Sequence, residues 1–145
     1  MNYVYKNIIT ADPQILIRRK DNGIFLVHKC DIANVDSSDA VVDVYIESYS
    51  IAQTIKKHGS NESNFDNVIT HDYINKENQE IYYKIKSVTV PVGTTLSLFT
   101  DHPCGHNSKF NFIVKSTQNV DVIVDYEHNS TERSRNTITR NISQY

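Results

Sequence analysis

The chain contains no tryptophan, four glycines, three prolines and two cysteines among its 145 residues. Four glycines leave no room for a phosphate-cradling loop, and neither Gly-x-Ser-x-Gly nor His-Glu-x-x-His occurs. No enzymatic activity and no cofactor are therefore expected. Two cysteines, Cys30 and Cys104, make no disulfide framework, and a chain of this size does not need one. The expectation is a pair of reduced thiols in a protein made in the cytoplasm. Neither sign of charge dominates: 15 basic residues face 17 acidic ones. No field is present to recruit nucleic acid or an anionic membrane. No apolar run is long enough to span a bilayer, and MNYVYKNIITADP lacks an apolar signal core after a basic start.

What is present is alternation. From Tyr82 to Tyr126 short apolar runs are cut by Pro, Gly, Asn and Ser, which is the pattern of consecutive antiparallel strands. Pro cannot donate to a central ladder, so Pro91-Val92-Gly93 splits one run into Tyr82 to Val90 and Thr94 to Thr100. Asp101 to Ser108 reads as a loop. Phe110, Phe112 and Val114 share a face of the next strand, and Val120, Val122, Val124 and Tyr126 form the inward row of the last. Upstream, Gln14 to Arg18 is a short strand, and Lys20-Asp21-Asn22-Gly23 supplies hairpin chemistry. In the return strand Ile24 to Asp31, Ile24, Leu26, His28 and Cys30 share one face and Phe25, Val27 and Lys29 the other. In Ala40 to Tyr49, Val42, Val44 and Ile46 oppose Asp43, Tyr45 and Glu47. Met1 to Thr10 alternates weakly, as an edge strand or an extended arm.

About eight strands at this spacing point to an all-β fold, an antiparallel two-sheet β-sandwich of jelly-roll type, with a closed barrel as the rival. The domain spans 1–128 and carries a long polar insert over 50–80. There Ile51 to His58 forms a short helix, or the segment is an extension that packs on a neighbour. Residues 129–145 read as a C-terminal arm, with Arg133, Arg135 and Arg140 against Glu132. A polar arm of this kind suits a partner chain, along which it lies or to which it adds a strand.

The sharpest constellation for chemistry is His102, Cys104 and His106, with His28 and Cys30 alternating on another strand. Five such side chains are donors a zinc ion accepts. Their spacing matches neither the two-residue gaps nor the helical pairs of zinc sites, so a turn built on Pro103 and Gly105 is favoured and no metal is expected. Asp43, Glu47, Asp121 and Asp125 lie on outward faces; a glycosidase would set two of them across a groove, but more often such residues keep a sheet solvated. Tyr45, Tyr49 and Tyr82 are candidate interface rings, because tyrosine buries much area for little lost entropy. The arginines of the tail are candidate salt-bridge partners for a protein neighbour.

Gly23 to Tyr45 (GIFLVHKCDIANVDSSDAVVDVY) resembles small virion structural proteins of tailed phages, especially those infecting marine cyanobacteria. The likeness lies in the step Ile32-Ala33-Asn34, the turn at Ser37-Ser38, and the strand Val42-Asp43-Val44-Tyr45-Ile46. A second match is Val90-Pro91-Val92-Gly93 running into Leu96-Ser97-Leu98, and Val120 to Glu127 fits the closing strand of those proteins. The resemblance implies a β-sandwich without catalysis, located in the virion after assembly in the host cytoplasm. Its partners would be copies of itself and other virion proteins at the neck, the tail or the head-tail junction. Capsid decoration (a cement protein) and a carbohydrate-binding module of a receptor-binding device are the alternatives.

Overall fold

In a computed structural model the structure describes residues 2–57 and 67–130, with the backbone alone over 50–57 and 67–78. Among the described residues there is no helix, and nine strands are present: β1 (Asn2–Ile8), β2 (Gln14–Ile17), β3 (Ile24–Asn34), β4 (Ala40–Lys57), β5 (Asn67–Val90), β6 (Thr95–Leu98), β7 (Cys104–Asn107), β8 (Asn111–Ser116) and β9 (Val120–Asn129). Two compact units divide the chain: Met1–Glu47 with Ile81–Tyr145, and Ser48–Glu80.

The first unit is the sandwich. One sheet runs β1-β9-β3-β6 with β7 also on β3, and the other runs β2-β8-β4-β5. Strands pair first with last: β1 with β9, β2 with β8, β3 with β6 and β7, β4 with β5. Such nested pairing is a long hairpin rolled over itself, the jelly-roll arrangement. Rolling corrects one local reading. The turn at Lys20 to Gly23 does not join two paired strands, because β2 and β3 belong to different sheets. Gly23 nevertheless takes the positive φ (112°) the turn needs, and Gly93 does the same (73°) in the turn closed by Thr94 N–H donating to Pro91 O at 3.1 Å.

Both inner faces feed one core. Phe25, Val27, Cys30 and Ile32 of β3 and Val120, Val122 and Val124 of β9 meet Val42, Val44 and Ile46 of β4 and Phe112 and Val114 of β8. Burying each such side chain contributes roughly 1.5–3 kcal/mol. The inward rows expected for β4 and β9 are those observed. The row expected for β3 is not. Its register with β9 shifts between Val27 and Lys29, so His28 is the extra residue of a β-bulge. The bulge turns Phe25 and Val27 inward on one side and Cys30 and Ile32 inward on the other. On the opposite edge of β3, β6 covers Cys30 to Ala33 and β7 covers Ile24 to Val27. They are two halves of one edge strand, interrupted where β3 bulges, with Phe99 at φ 67° in the break.

The remaining lengths of β4 and β5 make the second unit. Its described residues, Ser48 to Lys57 and Asn67 to Glu80, are extended strand throughout, so of the two readings of Ile51 to His58 the short helix is absent over 51–57. Ladder hydrogen bonds between backbones do not require an apolar side-chain pattern, which is why a polar stretch adopts strand here. His58 lies outside the described residues.

Candidate functional site

The two stretches carrying the zinc candidates do meet, because β7 pairs with β3: Val27 stands opposite Cys104 and Phe25 opposite His106. Their side chains then diverge. His28 points toward Glu127, with Nε2 3.6 Å from Oε1, too long for a hydrogen bond. Cys30, Cys104 and His106 are buried, whereas His102 is exposed in the connection before β7. Among the described residues no three His, Cys, Asp or Glu side chains are grouped to hold a metal ion. Burial pushes the Cys30 thiol up to about 12, with Asp31 adding to the effect, so it is neither a ready ligand nor a nucleophile.

His106 is instead part of an aromatic cluster. Its ring centroid lies 5.4 Å from that of Phe25 and 6.2 Å from that of Phe112, nearly parallel to the latter. Phe25 also meets Tyr126 and His128. Neither His106 nitrogen has a hydrogen-bond partner, and burial, followed by the charge of Lys84, pulls the imidazole down to about 4. A neutral ring packed between two phenyl rings is a core group, not an acid–base catalyst near neutral pH.

The interface candidates separate. Tyr45 lies on the outer side of β4 as expected, but it is only 7% exposed and packs on Tyr83 at 5.1 Å. It covers its own sheet. That burial raises its hydroxyl to about 12. Tyr82 is 54% exposed and meets Phe110 edge-on at 5.8 Å. Tyr49 is half-buried, in the second unit. Arg133, Arg135 and Arg140 lie outside the described residues.

The surface that stands out was not singled out by the sequence reading. It is the outer face of the five-stranded sheet. Residues opposite each other in antiparallel strands share a face. Val120, Val122 and Val124 point inward, so the row Tyr3–Asp125–Lys29 and the row Tyr5–Ile123–Asp31 point outward across β1, β9 and β3. Tyr3 and Tyr5 are 57% and 72% exposed, and their rings stack 6.3 Å apart at 14°. Lys29 Nζ sits 3.0 Å from Asp31 Oδ2. That bond, then the charges of Asp31, Tyr3 and Asp125, hold the Lys29 ammonium above its ordinary range. Asp31 Oδ1 and Asp125 Oδ1 are buried without any hydrogen-bond donor. The face thus offers two aromatic rings beside two carboxylate oxygens that still need donors. The sequence signals for it are the i, i+2 spacing of Tyr3 and Tyr5 in an edge strand and the outward positions of Asp121 and Asp125.

No protein-family model, curated protein or solved structure matches the chain.

Proposed function

We propose that the chain is a non-enzymatic virion structural protein of a tailed phage. It acts by surface complementarity, through the 50–80 segment and its terminal arms, within an assembly of identical subunits and other virion proteins. The neck, tail or head-tail junction is preferred to a capsid-decoration role, because extended arms suit a ring that grips its neighbours. One observation carries the reading. Two of the steps that carry the phage resemblance, Ile32-Ala33-Asn34 and Val90-Pro91-Val92-Gly93, come together in space, with Asn34 Nδ2 donating to Val90 O at 2.9 Å. Their meeting in space supports reading them as one structural element, on a jelly roll whose outer face presents exposed tyrosines beside carboxylates. The test is mass spectrometry and immunogold labelling of purified particles, with deletion of Asn129 to Tyr145 alongside. The full chain should be found at fixed copy number, and the deleted chain should fold but fail to incorporate. Absence of the full chain from particles would sink the assignment.

The Tyr3 and Tyr5 rings beside Asp31 and Asp125 favour a second reading, a carbohydrate-binding module. Sugar rings stack on tyrosine, and their hydroxyls donate to carboxylates. Glycan-array binding by a monomer, lost in Tyr3→Ala/Tyr5→Ala, would favour it over assembly.

A further inference from the structure

The outer face of the β1-β9-β3 sheet has three properties that must be met together by whatever covers it. Among the described residues Asp31, Asp121 and Asp125 lie on it with one lysine, Lys29, which pairs with Asp31 Oδ2, while Asp121 accepts from Asn7 Nδ2 at 2.7 Å. Two of the carboxylate oxygens, Asp31 Oδ1 and Asp125 Oδ1, are removed from water with no donor, so an occupant reaches them once the carboxylate turns outward about its last side-chain torsion. A buried acceptor left unpaired costs about 1–3 kcal/mol, more when it is charged. Beside them two parallel tyrosine rings lie open on an edge strand. An occupant that meets all three is cationic, rich in directional N–H donors and flat enough to lie on an aromatic ring. Guanidinium groups fit: each has five donors in a planar fork and stacks on tyrosine.

The chain itself carries such an occupant. Residues 131–145 contain Arg133, Arg135 and Arg140 and a single acidic residue, Glu132. Arg133 and Arg135 are two apart, the spacing at which side chains of an extended segment fall on one side. Tyr3 and Tyr5 have the same spacing. Building on the assembly reading above, we propose that the outer face of this sheet receives the C-terminal segment, residues 131–145, of a second copy of the chain. A second copy is favoured over the chain's own segment by topology. β9 is flanked on both sides by β1 and β3, so its continuation cannot return in the plane of the sheet. Asp125 lies four residues back from Asn129, roughly 13 Å along the strand at ~3.3 Å per residue. Arg133 and Arg135, the pair spaced like Tyr3 and Tyr5, are only four and six residues beyond Asn129, and climbing over the sheet end and reversing would consume much of that reach, a limit that does not bind Arg140. A neighbour's segment needs no reversal.

The experiment places the photo-reactive residue p-benzoylphenylalanine at Tyr5 in the full chain. Equal amounts of ¹⁴N and ¹⁵N protein are mixed, irradiated and digested. The expected product joins the Tyr5 peptide to a peptide from residues 131–145, with mixed-isotope pairs abundant. Its yield should fall at least about fivefold in R133A/R135A/R140A, with melting unchanged, and in D31N/D125N, whose melting shifts as the buried acceptors are neutralised. Should the second variant fail to fold, the arginine variant decides. Same-isotope products alone would assign the face to the chain's own segment and overturn the proposal. Cross-links only elsewhere, none at all, or a yield indifferent to the arginines would do the same. Particle incorporation is read separately, so failure here leaves the virion assignment standing or falling on its own test.

Discussion

Asn34 and Val90 are 56 residues apart, yet the side-chain amide of the first donates to the carbonyl of the second at 2.9 Å. The same amide donates to Ser38 O at 2.9 Å, and its Oδ1 accepts from Asp36 N–H at 2.9 Å. One buried side chain therefore fastens the end of β3, the turn after it and the end of β5. Asn34 N–H donating to Thr94 O at 3.0 Å adds the start of β6. The turn is braced further by Asp36, which accepts from Asn119 N–H and Ser37 N–H, and these bonds hold its carboxyl below the ordinary range.

Replacing this asparagine should therefore cost more than a surface polar change. Asn34→Ala leaves two carbonyls and one N–H without their partner, and a loss of about 2–4 kcal/mol is expected. Urea unfolding should show a lower midpoint at unchanged slope. A change below about 0.5 kcal/mol would mean the carbonyls find water instead.

Gly23 should tolerate no side chain. Its φ is 112°, and a Cβ there would overlap the backbone carbonyl of Asn129, with the His128 ring also in contact. His128 Nε2 is in turn 2.7 Å from Asn22 O, so the closing strand and the β2–β3 turn are fitted together. Gly23→Ala is expected to destabilise by at least about 2 kcal/mol and to disturb the β9 end. Thermal melting with amide exchange over 126–129 reads both effects.

The buried His106 ring makes stability fall in mild acid. Its folded value, about 4, lies below the ordinary 6.5, so between these the unfolded chain binds the extra proton. Stability from this group is complete above pH 6.5 and is lost as pH falls toward 4, on the order of 3 kcal/mol in all. His106→Phe keeps a ring between Phe25 and Phe112 and removes two orphaned nitrogens. From pH 7 to 4 the variant should lose roughly 3 kcal/mol less than the parent. Equal losses in the two proteins would show that the native ring charges freely.

Cys30 should be silent toward thiol reagents in the folded state. At about 12 instead of 9.0, its thiolate fraction at pH 8 is lower by about a thousandfold, and the side chain is fully buried. Disulfide exchange with a chromogenic reagent should reach Cys30 only after unfolding in denaturant, when both free cysteines titrate. Stoichiometric native labelling of Cys30, mapped by peptide mass, would contradict this placement.

Much of this molecule is legible in the order of its residues. Val42, Val44 and Ile46 face inward together, as do Val120, Val122 and Val124, because a strand buried on one face must alternate. The break at Pro91-Val92-Gly93 follows from proline's missing donor and glycine's free φ. β7 is missed when Asp101 to Ser108 is read as a loop; its alternation places Cys104 and His106 inward and Gly105 and Asn107 outward, but four residues after a proline are too short a run to stand out.

Other features have no local signature. The bulge at His28 reverses the inward row of β3, and only pairing with β9 places it. Rolling the paired strands set β2 and β3 in different sheets although a hairpin turn joins them. The tyrosine and carboxylate face draws Tyr3, Tyr5, Asp125 and Asp31 from three strands that are distant in sequence. Alternation and turn chemistry are properties of neighbouring residues, so the sequence alone determined an all-β chain and most of its inward rows. Which strands lie side by side is settled by burial of both inner faces at once, so the tertiary structure alone decided which outward residues share a surface.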